Sequence, residues 1–409
     1  MPILLEDDLN YPLPRMYKVR QSFPRPKLDD IERRVSDEIS RPEIKGRIKP
    51  GASVAVGVGS RGVKNLSVIV RAVLNQIKEA GGHPFIVSAM GSHGGGAPEG
   101  QREVLRSYGI TEESMGVEIV TSVDVVRVGK TSRGIDVYFD KAAMSADLVV
   151  PINRVKLHTD FVADIQSGLC KMLVIGLGNH IGCSAIHEDG NDTFGETILE
   201  ASGMILKSAA VGFGVAVVEN ACDETALIEA IPGESIRERE MELVKIARDN
   251  MPTLMIPEID VLIVKEIGKN ISGAGFDPNI LGKSYILKEF VLPVPNIKRM
   301  VLLDITRESH GNAIGVGVFD VITRNVFDKL DLEQMYANAI AVKCPEDARI
   351  PLIASSEEEA TRIAVKTARG ADRERLKIVR IKNTLELETI EVSDVLREYA
   401  ERHDKLSLI

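Results

Sequence analysis

Several of the seven histidines in this 409-residue chain stand where an imidazole could move a proton. His93 lies in MGSHGGGAPEG (90–100). Glycines on both sides would let backbone approach a ligand closely, and imidazole titrates near neutrality, as a general base must. A loop histidine whose glycines serve only the turn explains the run equally well. It is neither G-x-G-x-x-G nor a P-loop, since no Lys-Ser/Thr follows. In NRVKLHTD (153–160), Lys156, His158 and Asp160 alternate and would share one face of an extended chain; a solvated polar loop is the even alternative. Arg61 sits in SRG (60–62), after an apolar run and before a helical stretch. Backbone N–H groups at a helix start attract anions, and a guanidinium can grip a carboxylate with two bonds. A surface arginine in a turn is the commoner use of such a residue.

The most unusual stretch is SGLCKMLVIGLGNHIGCSAIH (167–187), apolar and glycine-rich yet carrying Lys171, His180 and His187. Its composition predicts a buried strand turning into a helix. Lysine is almost never fully buried unless something pairs or reacts with it, and in apolar surroundings its amine can serve as a nucleophile. His187 is followed by Glu188 and Asp189, which could orient a metal-ligating imidazole. Each signal is weak alone. Together they point to acid–base work beside a covalent or metal-bound cofactor.

The elements that must position these residues read as α/β. SVAVGVGSRG (53–62), LSVIVRAVLNQIKEAGG (66–82) and PFIVSAMGSHGGG (84–96) give strand, helix, strand, and the apolar run DLVVPIN (147–153) follows. Helices are expected over 28–48, ended by Pro42, and over 193–210 and 233–250. The same pattern restarts at IDVLIVKEIGKNISGAGFDPN (259–279), after the two-proline segment MPTLMIPE (251–258). The expectation is two α/β domains with mostly parallel sheets, residues 1–255 carrying the histidines and the lysine and residues 256–409 closing the pocket, with the active site in the cleft between them. Arg61, His93 and His158 each follow a strand, and in open α/β sheets ligands sit beyond the carboxyl ends of the strands.

Composition narrows the partners. A net charge of −9 argues against a nucleic-acid backbone, and 4% aromatic residues without tryptophan argue against base-stacking platforms. No apolar run approaches the roughly 20 residues of a membrane helix, and the N-terminus does not read as a secretory signal. Four cysteines without C-x-x-C spacing suggest neither a zinc knuckle nor a disulfide framework. A cytoplasmic enzyme acting on a small molecule is the expectation.

At this point the residues resemble the nickel-pincer-nucleotide lactate racemases and their 2-hydroxy-acid racemase and epimerase relatives. The resemblance covers most of residues 50–320. It rests on the strand-then-SRG loop, on MGSHGGGAPEG, on LH followed by SGLCK, and on the histidine 16 residues beyond that lysine. It implies an isomerase in which His93 and His158 act as acid–base catalysts on opposite faces of the substrate. Lys171, in its S-G-x-x-K setting with Ser167 and Gly168, would be linked to the cofactor through a thioamide. His187 would be the protein ligand to nickel, and Arg61 would hold the substrate carboxylate. The glycines of this stretch would let a flat cofactor lie against backbone, those around 311–317 look like the family's later glycine-rich loop, and His180 would stand outside the chemistry. Proteins that make the cofactor become implied partners, so material from an ordinary host would be unloaded.

There are departures from the family. The first loop lacks the Asp-His-Thr-Arg-Pro wording, and the chain between His158 and Lys171 is a few residues longer. Where lactate racemases supply Tyr-Gln and a lysine to the substrate, this chain reads ISGAGFD, with Ser272, Gly273 and Phe276 at those places. That implies a hydroxy acid larger than lactate, a sugar acid or a dicarboxylate. An NAD-dependent dehydrogenase, which the missing G-x-G-x-x-G counts against, and a non-catalytic relative are the alternatives. A homo-oligomer is left open.

Overall fold

The computed structural model describes residues 8, 10–60, 62–188, 190 and 192–409. Two units divide the chain: Arg25–Met251 form one, and Pro252–Ile409 together with the residues up to Pro24 form the other. The division therefore falls inside the two-proline segment, and the start of the chain is not part of the N-terminal unit, as a 1–255 domain would have it. The cause is strand β1 (Met16–Gln21), which pairs with strands near the C-terminus. Its sequence, MYKVRQ, carries no local sign of partners so far along the chain.

In the Arg25–Met251 unit, β2 (Ser53–Val58), β3 (His83–Ser88) and β4 (Ile119–Val120) follow one another, with helices Leu66–Glu79 and Pro98–Ser107 crossing between them. Leu66, Ile69, Val70, Val73, Leu74 and Ile77 recur at helical spacing, and all are buried against the sheet. Each contributes about 1.5–3 kcal/mol by leaving water. A separate hairpin, β5 (Val125–Lys130) and β6 (Asp136–Asp140), precedes β7 (Leu148–Arg154), β8 (Phe213–Glu219) and β9 (Thr225–Pro232). The sheet order is β4-β3-β2-β7-β8-β9, parallel except for the last pair. From β2 the chain builds outward in one direction, and from β7 in the other. The carboxyl ends of β2 and β7 therefore mark a topological switch point, the place where ligands bind in open α/β sheets.

The second unit restarts the pattern with β10 (Glu258–Ile267) and β11 (Asn296–Ile305). After these come β12 (Val321–Thr323), β13 (Leu352–Ala354), β14 (Ile378–Ile381), β15 (Thr389–Ser393) and β16 (Leu406–Leu408). Its order is β13-β12-β11-β10-β14-β15-β1-β16, parallel through β14 and antiparallel beyond. Both units are thus α/β with mostly parallel sheets.

Two local expectations differ. The helix expected over 28–48 ends at Ser40, and Pro42 opens a separate turn, Pro42–Lys45, where a missing N–H costs nothing. Residues 169–187 contain no strand. They form a helical turn (Leu169–Lys171), a π-helical turn (Met172–Gly176) and helix Asn179–His187. Residues 172–179 are buried as the apolar pattern requires, but as helix, and Ile181 beyond them is exposed; a short apolar run cannot by itself distinguish strand from helix. Among the described residues no single helix is long and apolar enough to cross a membrane.

Candidate active site

The loop after β3 carries His93. Its glycines Gly94, Gly95 and Gly96 all have positive φ, at 65°, 69° and 63°, a conformation that other residues adopt only with strain. The GGG run is therefore a requirement of the turn. Gln101, fully buried, holds the loop from below by accepting from Ser88 Oγ at 2.6 Å and reaching the Gly91 carbonyl. At the tip, Ser60 Oγ from the loop after β2 hydrogen-bonds His93 Nδ1. Tyr108 Oη in turn donates to the Ser60 carbonyl at 2.7 Å. Ser60 and Tyr108 thus fix this imidazole. Neither is singled out by sequence, because nothing local ties residue 108 to residue 60. Arg61 lies outside the described residues.

His158 sits in the loop after β7. Gln166 Oε1 accepts its backbone N–H at 2.7 Å, and Lys156 and Ser167 exchange backbone hydrogen bonds at 2.9 and 3.1 Å. Ser167 therefore acts here through its backbone, clamping the ends of the loop. The imidazole lies 4.4 Å from the Phe161 ring and 6.4 Å from that of Phe194, centroid to centroid. Its Nδ1 accepts the Asp160 backbone N–H at 3.0 Å, and its Nε2 lies 2.5 Å from Lys171 Nζ. His158 and Lys171, thirteen positions apart, are one hydrogen-bonded pair.

His187 ends helix Asn179–His187, and its ring centroid also lies 4.8 Å from that of Phe194. Nδ1 donates to the Cys183 carbonyl one turn back, at 2.6 Å. That bond places the proton on Nδ1 and leaves Nε2 with the lone pair, the tautomer a metal-ligating histidine needs. Burial pulls the His187 imidazole down, but the Cys183 thiol and carbonyl beside it bring it above its ordinary value. For the Cys183 thiol, burial acts upward, and His187 and Ser92 bring it below its usual range. Ser92 belongs to the His93 loop, so its contact with Cys183 at 3.8 Å joins that loop to the metal-ready histidine. His180 is exposed and packs under Gly96; its part is structural.

A further residue holds the lysine. Glu240, on helix Ile236–Asp249, is fully buried, and its Oε2 accepts the Cys170 N–H at 2.8 Å. A carboxylate at the start of the Leu169–Lys171 turn satisfies donors that have no helical partner. Burial raises this carboxyl to about 7, against the lowering pull of the Cys170 and Leu169 N–H groups. Gly168 has extended backbone, φ 177°, so it is not there for its conformation. A Cβ at that position would lie 2.5 Å from the Glu240 carboxyl carbon. The space on that side of Gly168 is therefore taken by Glu240. Asn153 Nδ2 closes the turn by donating to the Gly168 carbonyl at 2.7 Å. The sequence held a signal for Glu240: it falls on the buried stripe Ile236, Glu240, Leu243, Val244, Ala247, where a carboxylate needs a partner.

The residues that can do chemistry therefore follow β2, β3 and β7, around the switch point. They comprise an imidazole held by Ser60, an imidazole paired with an amine, and an imidazole with its Nε2 prepared for a metal. The N-terminal part of the sequence also answers to a known family: residues 16–193 match the lactate racemase N-terminal domain. Over those residues the chain is lactate racemase-like. Its fold is similar to that of the lactate racemase apoprotein from Thermoanaerobacterium thermosaccharolyticum, with a TM-score of 0.57 over 90% of this chain and 94% of that one. The two share 14% identity, so this second likeness is one of fold. No curated protein matches the lactate racemase-like sequence.

In the second unit, Ser272 and Phe276 are buried, and Phe276 packs edge-on against Phe319 at 5.6 Å. Lys269 turns back onto its own loop, donating to the Gly273 carbonyl and to Asn338 Oδ1, each at 2.7 Å. The ISGAGFD segment thus directs these side chains into its own unit.

Proposed function

We propose that this lactate racemase-like chain is an isomerase that racemises or epimerises a 2-hydroxy acid. The observation that carries the reading is the grouping of the His158–Lys171 pair and His187 around Phe194, after the switch-point strand β7. An α-hydrogen beside an ionised carboxylate is very weakly acidic, so removing it as a proton is hard. A route that takes it as hydride avoids the carbanion, but needs an acceptor that no side chain provides.

The donor set fits a metal that brings most of its own ligands. Among the described residues no group of three or more His, Cys, Asp or Glu could enclose a metal ion, whereas His187 offers one imidazole nitrogen in the required tautomer. A nickel-pincer nucleotide anchored on Lys171 would supply the hydride acceptor when bound. The chain's own part is to orient and to move protons. Arg61 holds the substrate carboxylate. His158 or His93 takes the proton from the hydroxyl oxygen as the 2-keto acid forms and returns it afterwards. Two imidazoles are needed because inversion requires the keto group to be served from either face. The small, inward-turned ISGAGFD segment supports a substrate larger than lactate.

The test is to co-produce the protein with the enzymes that make the cofactor, then measure nickel per chain and map the modified peptide. The reading expects nickel together with a covalent mass addition on Lys171. Protein that gains neither in a host proven to load a lactate racemase would refute it.

A further inference from the structure

His158 is fixed from both sides in a way that decides where the protons lie. Its Nδ1 accepts the Asp160 backbone N–H at 3.0 Å, so Nδ1 carries a lone pair and the ring cannot be imidazolium. A neutral imidazole with a free Nδ1 has its proton on Nε2. Nε2 is the atom 2.5 Å from Lys171 Nζ, so the ring donates and the lysine nitrogen must accept. An ammonium has three donors and no lone pair; only the neutral amine can accept. Turning the ring over would put carbon atoms at both contacts and lose both bonds. Among the contacts of this residue are the Phe161 and Phe194 rings, Gln166 on its backbone, and the Asp160 carboxylate 4.0 Å from Nδ1.

We propose that in the unloaded protein His158 holds Lys171 as the neutral amine, so that the pair is the chain's own device for attaching an acyl-type group to Nζ. The inference rests on the reading of Lys171 as the anchor and gives His158 a task before any turnover. Attack by Nζ on a thiocarboxyl carbon forms the C–N bond, and the elements of water leave, giving a thioamide. The nitrogen lone pair is then delocalised and no longer accepts from Nε2–H. The bond that held the lysine is lost, and the His158 ring is free to shift its proton between its nitrogens and to serve the substrate.

The test uses unloaded full-length protein and a substoichiometric N-hydroxysuccinimide ester of nicotinic acid at pH 7, with sites of acylation read by peptide mass mapping. In that reaction Nζ takes the acyl group, and N-hydroxysuccinimide leaves with the proton. Lys171, though only partly exposed, is expected to be acylated at least ten-fold faster than the exposed lysines. His158→Ala should remove that advantage, and Asp160→Asn, which keeps the backbone N–H, should retain it. A Lys171 no faster than exposed lysines, or a folded His158→Ala protein that labels Lys171 as the parent does, would overturn the proposal. Nitrogen-15 spectra of the parent at pH 7 need no variant. They should show His158 with an unprotonated Nδ1 and a protonated Nε2; both nitrogens protonated would overturn it. Neither experiment involves substrate or nickel, so failure here is distinct from failure of the isomerase reading.

Discussion

At His158 a single ring meets a backbone N–H, two phenylalanine rings and a lysine amine. A residue so placed should matter to chemistry more than to folding. In loaded protein, His158→Ala and His93→Ala are each expected to lower turnover by roughly 10²–10⁴, the usual worth of a positioned acid–base group, with unchanged circular dichroism. Full activity in either variant would remove that histidine from the mechanism. The anchor and the metal ligand separate by mass. Lys171→Arg should carry no covalent addition, because guanidinium is not an amine nucleophile. His187→Ala should keep the organic addition but lose most of its nickel. An addition retained in Lys171→Arg would place the attachment elsewhere.

Between residue and fold stand the turns that hold these side chains, and here legibility was uneven. The helix Leu66–Glu79 and the strands around it follow from apolar spacing that is local and strong. The site's three loops were legible because each follows such a strand. Less visible was whatever depends on contact across the fold: Ser60 and Tyr108 beneath His93, and Glu240 beneath Gly168. The 167–187 run reads as beginning in a strand because an apolar segment with no polar face has no period to declare. Glu240 makes a testable claim at this scale. Its carboxyl is raised by burial from 4.5 to about 7 in the folded chain. The folded state therefore binds its proton more tightly than the unfolded one. That contribution is fully present below pH 4.5, and is lost as pH rises through about 7, at a cost of about 3 kcal/mol. Glu240→Gln cannot ionise, so melting temperatures measured from pH 5 to 8 should show it gaining on the parent as pH rises; a constant difference would contradict the assignment. Gly168→Ala, forced against the same carboxyl, should cost about 1–3 kcal/mol, read by denaturant unfolding.

For the whole molecule, the two-unit reading of the sequence missed one strand. β1 lies between β15 and β16, so a fragment 256–409 would expose two strand edges with unpaired backbone groups, a template for aggregation. It should elute as aggregate in size-exclusion chromatography, whereas fragment 25–251, whose sheet lies within it, should elute as a folded monomer or small oligomer. A monodisperse 256–409 would show β1 to be dispensable. The central claim is the reaction itself, and the route of the α-hydrogen tests it most directly. Loaded protein is incubated in deuterated water with a panel of enantiopure 2-hydroxy acids that includes lactate, sugar acids and dicarboxylates, and products are read by chiral chromatography and mass. The account predicts inversion of a substrate larger than lactate with no solvent deuterium at the α-carbon. Full deuterium incorporation would contradict hydride transfer, lactate as the best substrate would contradict the altered pocket, and no inversion of any member by nickel-loaded protein would contradict the isomerase assignment.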